Sequence, residues 1–239
     1  MTFRGAGRLG LMGGTFNPVH LGHLRAAEEI AEHLGLDRVV FMPAAFPPHK
    51  PGLNLAGFAD RLEMLRLATR GRGLFAVSDL ELGLPPPSYT SNTLREVGRL
   101  TDPGCELFFL VGFDSFRTVG RWRDGPELFG LASFVVFRRP GRCSGLASVA
   151  GVLKKFLPGP GETRPGPDGC GTLAWPGLLP VRYYGGCRLE ISSTDLRDRL
   201  AGDKSVRYLV PDSVRDYLDE KSLYRDPGGR RGPPGPGRR

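Results

Sequence analysis

The 239-residue chain has few cysteines, no long apolar run and no dense cluster of carboxylates. Its four cysteines are far apart and form no Cys-x-x-Cys pair, which argues against a zinc site or a disulfide framework and predicts a reduced, cytoplasmic protein. No stretch approaches the roughly 20 apolar residues of a membrane span. The apolar run near the N-terminus is too short for a signal peptide. We therefore expect no membrane contact and no metal site built from the protein alone.

The charge of the chain is unevenly distributed. Residues 225–239 hold five arginines and one aspartate, so this tail carries half of the net charge of +8. Its glycine, proline and arginine content predicts disorder, with a nonspecific anion contact as the alternative. The modest excess of positive charge in residues 1–224 suits an enzyme with phosphorylated small-molecule substrates. We expect no nucleic-acid partner.

Short apolar segments alternate with amphipathic ones over the first 137 residues. The strand candidates are 9–12, 39–42, 74–78, 107–111 and 133–137. The apolar spacing between them predicts helices at 24–34, 58–68, 93–100 and 127–131. This alternation predicts an α/β, Rossmann-like, doubly wound parallel sheet in three layers, which binds ligands beyond the carboxyl ends of its strands.

The composition changes after a predicted helix at 146–157. Residues 158–180 are rich in proline and glycine, and we interpret them as an irregular insertion. Tyr183 and Tyr184 are expected in a strand that returns to the sheet.

The C-terminal part is predicted to be helical. Ser193 or Thr194 is a suitable N-cap for a helix to Leu200, and Pro211 suits the first turn of a last helix to about Glu220. The predicted organisation is an α/β domain at 1–190, a short helical part of the same domain at 191–224 and a basic tail at 225–239.

The stretch GGTFNPVHLGH, from Gly13 to His23, is the most informative in the chain. It predicts a glycine turn between the first strand and the first helix. Such a turn lets a phosphate approach the backbone, and the helix N-terminus offers unpaired N–H groups. His20 and His23 share one helix face and can add hydrogen-bond donors. The pattern predicts a site for the phosphates of a nucleoside triphosphate.

Further motifs follow in order along the chain. They are PPHK at 47–50, YTSNTL at 89–94, VGFD at 111–114 followed by Trp122, ISSTDLR at 191–197, and VRYLVP at 206–211 followed by Leu223 and Tyr224. Together with the His-x-Gly-His pattern, this set resembles the bacterial nicotinate-nucleotide adenylyltransferase family of the nucleotidyltransferase superfamily. The resemblance covers residues 8 to 225.

The resemblance implies an enzyme that transfers AMP from ATP to nicotinate mononucleotide, giving deamido-NAD and pyrophosphate in NAD biosynthesis. A mononucleotide phosphate is largely ionised at neutral pH because its second pKa is about 6, so no general base is needed. The protein must align two anions and neutralise charge on the leaving group. Mg²⁺ is the implied cofactor, bound mainly through the ATP phosphates.

The resemblance also assigns residues to these tasks. Catalysis is assigned to His20 and His23. ATP binding is assigned to Gly13, Gly14, Thr15, Phe16, His20, His23, Asp114, Ser192, Ser193, Thr194 and Arg197. Mononucleotide binding is assigned to Lys50, Tyr89, Thr90 and Trp122.

Each assignment has an ordinary structural alternative. The histidines could be simple helix caps, Lys50 a solvated cation, Asp114 a member of an ion pair, Trp122 a core residue, and Tyr89 with Thr90 a plain helix start. Ser193 with Leu196 three positions later is not a capping box, which favours a phosphate site at the ISST segment.

Two positions depart from the family pattern. Asn92 stands where the family has aspartate, and Phe113 is bulkier than the usual small residue, so it could crowd or repack the nucleotide side. These two departures support the alternative of a nucleotide-binding regulator without catalysis. Nicotinamide mononucleotide as substrate, or dual specificity, is a separate alternative, because backbone donors can distinguish a carboxylate from an amide. Transfer to pantetheine phosphate fits the motifs less well. The oligomeric state is left open.

Overall fold

The computed structural model describes residues 3–47, 55–137, 145–186 and 189–225. Eight strands of these residues form one sheet in the order β3-β2-β1-β4-β5-β8-β7-β6. The strands are β1 Arg8–Gly14, β2 Arg38–Pro43, β3 Phe75–Val77, β4 Glu106–Gly112, β5 Ser133–Phe137, β6 Glu162–Pro165, β7 Gly171–Ala174 and β8 Val181–Tyr184. The six neighbouring strands β3, β2, β1, β4, β5 and β8 all pair in parallel. This confirms the predicted α/β doubly wound fold.

Helices lie on both faces of the sheet. They are α1 Leu21–Leu34, α2 Phe58–Thr69, α3 Thr90–Leu100, the single turns α4 Phe113–Phe116 and α5 Leu128–Leu131, α6 Leu146–Leu153, α7 Ser193–Ala201 and α8 Asp212–Glu220. The C-terminal part is helical, as predicted.

Alternating side chains of the central strands build two apolar layers. Leu11 and Phe109 pack on one face, with α3, α5 and α6. Met12 and Leu110 pack on the other, with α1, α2, α7 and α8. Because both faces are covered, the strands are continuous apolar runs, which is why the sequence revealed them.

The strand order reverses between β1 and β4, which are neighbours and pair in parallel. Crevices form at such reversals, beyond the carboxyl ends of the strands. Here those ends are Gly14 and Gly112, so the glycine turn and the VGFD segment lie at the same edge of the sheet.

The interpretation of 158–180 as irregular is wrong. Strands β6 and β7 form a hairpin in this segment, and β7 pairs antiparallel with β8. Leu173 is fully buried opposite Val181 and Trp175 is buried in the same core, so both side chains anchor the hairpin. Pro165 is tolerated because β6 is the exposed edge strand, which needs no hydrogen bond on its outer side.

Several helix ends differ from the predictions by a few residues. Ser192, rather than Ser193 or Thr194, caps α7, since its Oγ accepts the amide of Asp195 at 3.1 Å. Pro211 precedes α8 instead of lying within its first turn. The predicted helix 146–157 ends at Leu153, where the chain turns tightly. Residues 226–239, almost all of the predicted disordered tail, lie outside the described residues.

Candidate functional site

The 15–18 turn joins β1 to α1 and has an unusual backbone. Phe16 has a φ of 48°, in the left-handed region that few side chains adopt, and the Asn17–Pro18 peptide bond is cis. A Cβ on Gly13 would lie 3.1 Å from the ring of Phe109, and one on Gly14 would lie 3.2 Å from the ring of Phe16. The two glycines therefore leave room for aromatic packing beneath the turn, in addition to any room they leave for a ligand.

The two predicted histidines form one unit at the start of α1. His20 is the N-cap residue, and its ring stacks on that of His23 with centroids 3.7 Å apart. The His20 amide donates to Nδ1 of His23 at 3.3 Å. Since Nδ1 accepts, the proton of the neutral His23 ring is on Nε2, which can donate to an oxygen.

Packing against His20 explains why a glycine stands within the His-x-Gly-His pattern. A Cβ on Gly22 would lie 3.0 Å from Nδ1 of His20, too close without a shift of the ring. Both histidine side chains are buried, and Phe16 meets His23 edge-on at 5.1 Å. The unit is thus tightly held rather than solvated.

The ISST segment meets the 15–18 turn, although about 175 residues separate them in sequence. Ser193 Oγ donates to the Pro18 carbonyl at 2.9 Å, and Arg197 Nη1 donates to the Asn17 carbonyl at 2.8 Å. Arg197 Nη2 also donates to Thr194 Oγ1 at 3.2 Å. The structure therefore brings together the two regions that the sequence assigned to ATP. It also gives Ser193 and Arg197 contacts with turn carbonyls, while their direct contact with phosphates stays a prediction.

Three more groups hold the turn: Ala56, Arg61 and Tyr224. Of these only Tyr224 belongs to a sequence motif, and no site role was predicted for any of them. Asn17 Oδ1 accepts the Ala56 amide at 3.0 Å and the hydroxyl of Tyr224. Burial raises the pKa of Tyr224, so the phenol remains a neutral donor. Arg61 of α2 donates to the Thr15 carbonyl at 2.9 Å. No sequence motif pointed to Arg61 because a charged residue in a helix is ordinarily solvated.

Two of the predicted mononucleotide residues, Tyr89 and Thr90, lie at the start of α3. Tyr89 is the N-cap residue, Thr90 the first helical residue and Asn92 the third, in a first turn that holds no acidic side chain. The guanidinium carbon of Arg123 lies 4.9 Å from the centre of the Tyr89 ring. Arg123 is exposed and adds a cation that the sequence analysis did not assign.

The loop after β2 is tied to this helix start. The Ser88 amide donates to the Phe46 carbonyl at 3.0 Å, and the Phe46 amide donates to Ser88 Oγ at 2.9 Å. The buried carboxylate of Glu81 accepts from the Ala45 amide at 3.2 Å and from Thr93 Oγ1 at 2.8 Å. Lys50 lies outside the described residues, in the same loop, so its role stays a prediction.

Trp122 and Asp114 follow β4. The Trp122 ring is half-buried, meets Phe109 edge-on at 6.4 Å and donates from Nε1 to Thr118 Oγ1 at 3.2 Å. Asp114 is exposed in the first turn of α4. Phe113 is buried in the α3-side core, so its bulk is absorbed by packing.

Within the described residues, no group of three His, Cys, Asp or Glu side chains is arranged to hold a metal ion. No helix of the described part is long and apolar enough to cross a membrane.

A doubly wound sheet with stacked histidines just after the turn between β1 and α1 indicates a nucleotide-binding transferase. In agreement, the cytidylyltransferase-like family model matches residues 11–199. A probable nicotinate-nucleotide adenylyltransferase of Geobacter sp. (strain M21) is 42% identical over 92% of this chain and 99% of its own length. The relative of the same name from Geobacter sulfurreducens is 40% identical over 92% of this chain and 100% of its own.

Solved structures agree on the fold. The nicotinic acid mononucleotide adenylyltransferase of Plasmodium falciparum, complexed with NaAD, gives a TM-score of 0.66 at 18% identity, covering 91% of this chain and 97% of its own. A putative nicotinate-nucleotide adenylyltransferase of Vibrio parahaemolyticus gives 0.56 at 19%, covering 92% and 96%. The chain belongs to the nicotinate-nucleotide adenylyltransferase family, and it is a nucleotidyltransferase.

Proposed function

We propose that this enzyme transfers the adenylyl group of ATP to nicotinate mononucleotide. A phosphate oxygen of the mononucleotide attacks the α-phosphorus of ATP, and the bond from that phosphorus to the bridging oxygen of the β-phosphate breaks. The products are deamido-NAD and pyrophosphate. The observation that carries this proposal is the junction of the stacked His20–His23 pair with the Ser193–Arg197 segment around the 15–18 turn.

The ATP side of the reaction uses this junction. Nε2 of His23, as the protonated nitrogen of the ring, donates to a phosphate oxygen and stabilises the charge that grows toward the leaving group. His20 supports it through ring stacking and also faces the phosphates. The backbone of Gly13, Gly14, Thr15 and Phe16 lines the same crevice.

The start of α7 lies beside these groups and supplies further donors. We propose that its Ser192, Ser193, Thr194 and Arg197 bind the β- and γ-phosphates, as donors at a helix N-terminus can. Asp114, beyond the end of β4, accepts from the ribose of one nucleotide.

The acceptor binds on the other side of the crevice. Trp122 stacks on the pyridine ring, Tyr89 and Thr90 border the pocket, and Lys50 binds the mononucleotide phosphate. An amide at the helix start reads the carboxylate of nicotinate, which would be costly to bury without a partner.

ATP is used as its magnesium complex. The ion is held mainly by the ATP phosphates and water, as is usual for Mg²⁺ bound with a nucleotide. The cytoplasmic location expected from the sparse cysteines stays a prediction.

Pyrophosphate release tests the proposal directly. The full chain is given MgATP with nicotinate mononucleotide or with nicotinamide mononucleotide, in separate reactions, and the dinucleotide product is measured. We expect release with nicotinate mononucleotide and much slower release with the amide. Equal rates would indicate dual specificity, and no release with either would indicate a nucleotide-binding regulator.

A further inference from the structure

Arg61 is the most deeply buried charged side chain of the described residues. It lies in the first turn of α2 and is 1% exposed, beside the core residues Leu62, Met64 and Leu65. A buried arginine must lose its hydration, so it is retained only where its donors have fixed partners. Its environment therefore calls for an explanation beyond packing.

The guanidinium contacts backbone carbonyls rather than a carboxylate. Nε donates to the Ala56 carbonyl at 3.0 Å, and Nη1 donates to the Thr15 carbonyl at 2.9 Å. The side chain also lies 5.5 Å from the centre of the Phe58 ring. Among the described residues, no acidic oxygen lies within 4.0 Å of it. Burial lowers the pKa of Arg61, yet an arginine stays protonated, so a positive charge remains behind the turn.

The contact with Thr15 fixes the direction of the next amide. The bond from Thr15 to Phe16 is a trans peptide, in which the C=O and N–H groups point opposite ways. Because the Thr15 oxygen faces Arg61, the Phe16 N–H faces away from α2. Phe16 itself has left-handed backbone angles, which persist only when surrounding contacts impose them.

We infer that Arg61 is a positioning residue for catalysis: it holds the Thr15 carbonyl so that the Phe16 amide is directed at the reacting phosphates. The buried charge of Arg61 adds to the positive field at the turn. This inference rests on the proposed function, since it assigns the turn to ATP. It assigns nothing to the acceptor.

Two variants of the full chain separate position from charge. Arg61→Lys keeps the charge but replaces the planar fork by a single point donor. Arg61→Met keeps much of the side-chain volume and removes both the charge and the hydrogen-bond donors. We expect kcat to fall about 100-fold in Arg61→Lys, because small misplacements at a reacting centre have effects of that order, and further in Arg61→Met, which also loses the charge. The KM for ATP should rise less than kcat falls, and the KM for nicotinate mononucleotide should stay within about twofold.

A matched control removes stability without removing a hydrogen bond to the turn. Met64 lies on the same helix and is fully buried in the core, so Met64→Ala should lower the Tm as the Arg61 variants do. We expect it to leave kcat close to that of the wild type. If both Arg61 variants lose Tm but keep kcat, the residue is only structural and the inference is overturned.

Amide hydrogen exchange gives a readout that does not depend on turnover. Arg61→Met should speed exchange in a peptide covering residues 13–20, whereas Met64→Ala should not. Unchanged exchange in Arg61→Met would refute the positioning role even if the chain proved inactive. Absence of product from the wild type, with faster exchange in Arg61→Met, would instead count against the proposed reaction alone.

Discussion

The two sides of the proposed crevice are built in opposite ways. Three of the four residues of the 15–18 turn are buried. The turn is held by α2, α7, the Ala56 segment and Tyr224, each through a hydrogen bond to its backbone or to Asn17. The acceptor surface, which we define as Phe46, Tyr89, Thr90, Trp122 and Arg123, is half-buried or exposed.

This difference matches the tasks of the two sides. The phosphates react at one point, so the groups around them gain most from being fixed before the substrate arrives. The acceptor side must recognise a ring, a carboxylate and a phosphate, and side chains on a more open surface can do so. We therefore expect substitutions at the turn to change kcat, and substitutions on the acceptor surface to change the KM of the mononucleotide.

The largest effect is expected for His23. In His23→Ala the Nε2 donor is lost, and kcat should fall by between about 100-fold and 1000-fold, as for other donors that stabilise a charged transition state. The KM for nicotinate mononucleotide should hardly change. Steady-state kinetics with each substrate varied in turn measures both quantities.

His23 also accepts the His20 amide, so the helix start needs a control. His23→Asn keeps a short acceptor for that amide but has no atom in the place of Nε2, and kcat should fall equally. His33→Ala, an exposed histidine in the last turn of the same helix, should behave as the wild type. A variant of His23 with raised KM and normal kcat would mean that the residue only binds.

The elements that could be predicted from the sequence are those marked by a regular apolar pattern. All five strands predicted before residue 138 lie at their observed positions, because continuous apolar runs mark buried parallel strands. Arg61 could not be predicted, because only the tertiary structure turns a helical cation toward a distant carbonyl. Ser193 and Arg197 were named from the sequence, but their contacts with Pro18 and Asn17 could not be predicted, because they depend on how α7 folds back. The β6–β7 hairpin was not predicted because proline and glycine dominate this segment, and isolated apolar residues such as Leu173 give no strand periodicity.

A smaller effect is expected on the acceptor surface. Trp122→Ala removes the proposed stacking face and should raise the KM for nicotinate mononucleotide about tenfold, a factor consistent with the worth of an aromatic contact. The KM for ATP should stay near that of the wild type. Trp122→Phe keeps a flat ring and should recover most of the loss. An increase confined to the KM for ATP would contradict the division between the two sides.

The smallest effect is expected at a contact between α8 and the first turn of α2. Tyr217 of α8 donates to Asp60 Oδ1 at 2.9 Å, next in sequence to Arg61. Burial, followed by the hydrogen bond and charge of Asp60, raises the pKa of Tyr217 from its ordinary value of 10.0 to about 12. The folded state therefore favours the neutral phenol. Its stabilisation is complete below pH 10 and is lost as the pH rises through 12.

Tyr217→Phe should lower the Tm by a few degrees at pH 8, since a hydrogen bond contributes about 1 kcal/mol and this size of domain loses about 2–4 °C for each such amount. The gap between wild type and variant should narrow as the pH rises above 10, which thermal unfolding over a pH series measures. At pH 8 the KM for nicotinate mononucleotide should be unchanged, because the contact lies behind the ATP side. A constant Tm gap up to pH 12 would show that ionisation of Tyr217 is not linked to folding, and a raised acceptor KM would show that the two sides are not independent.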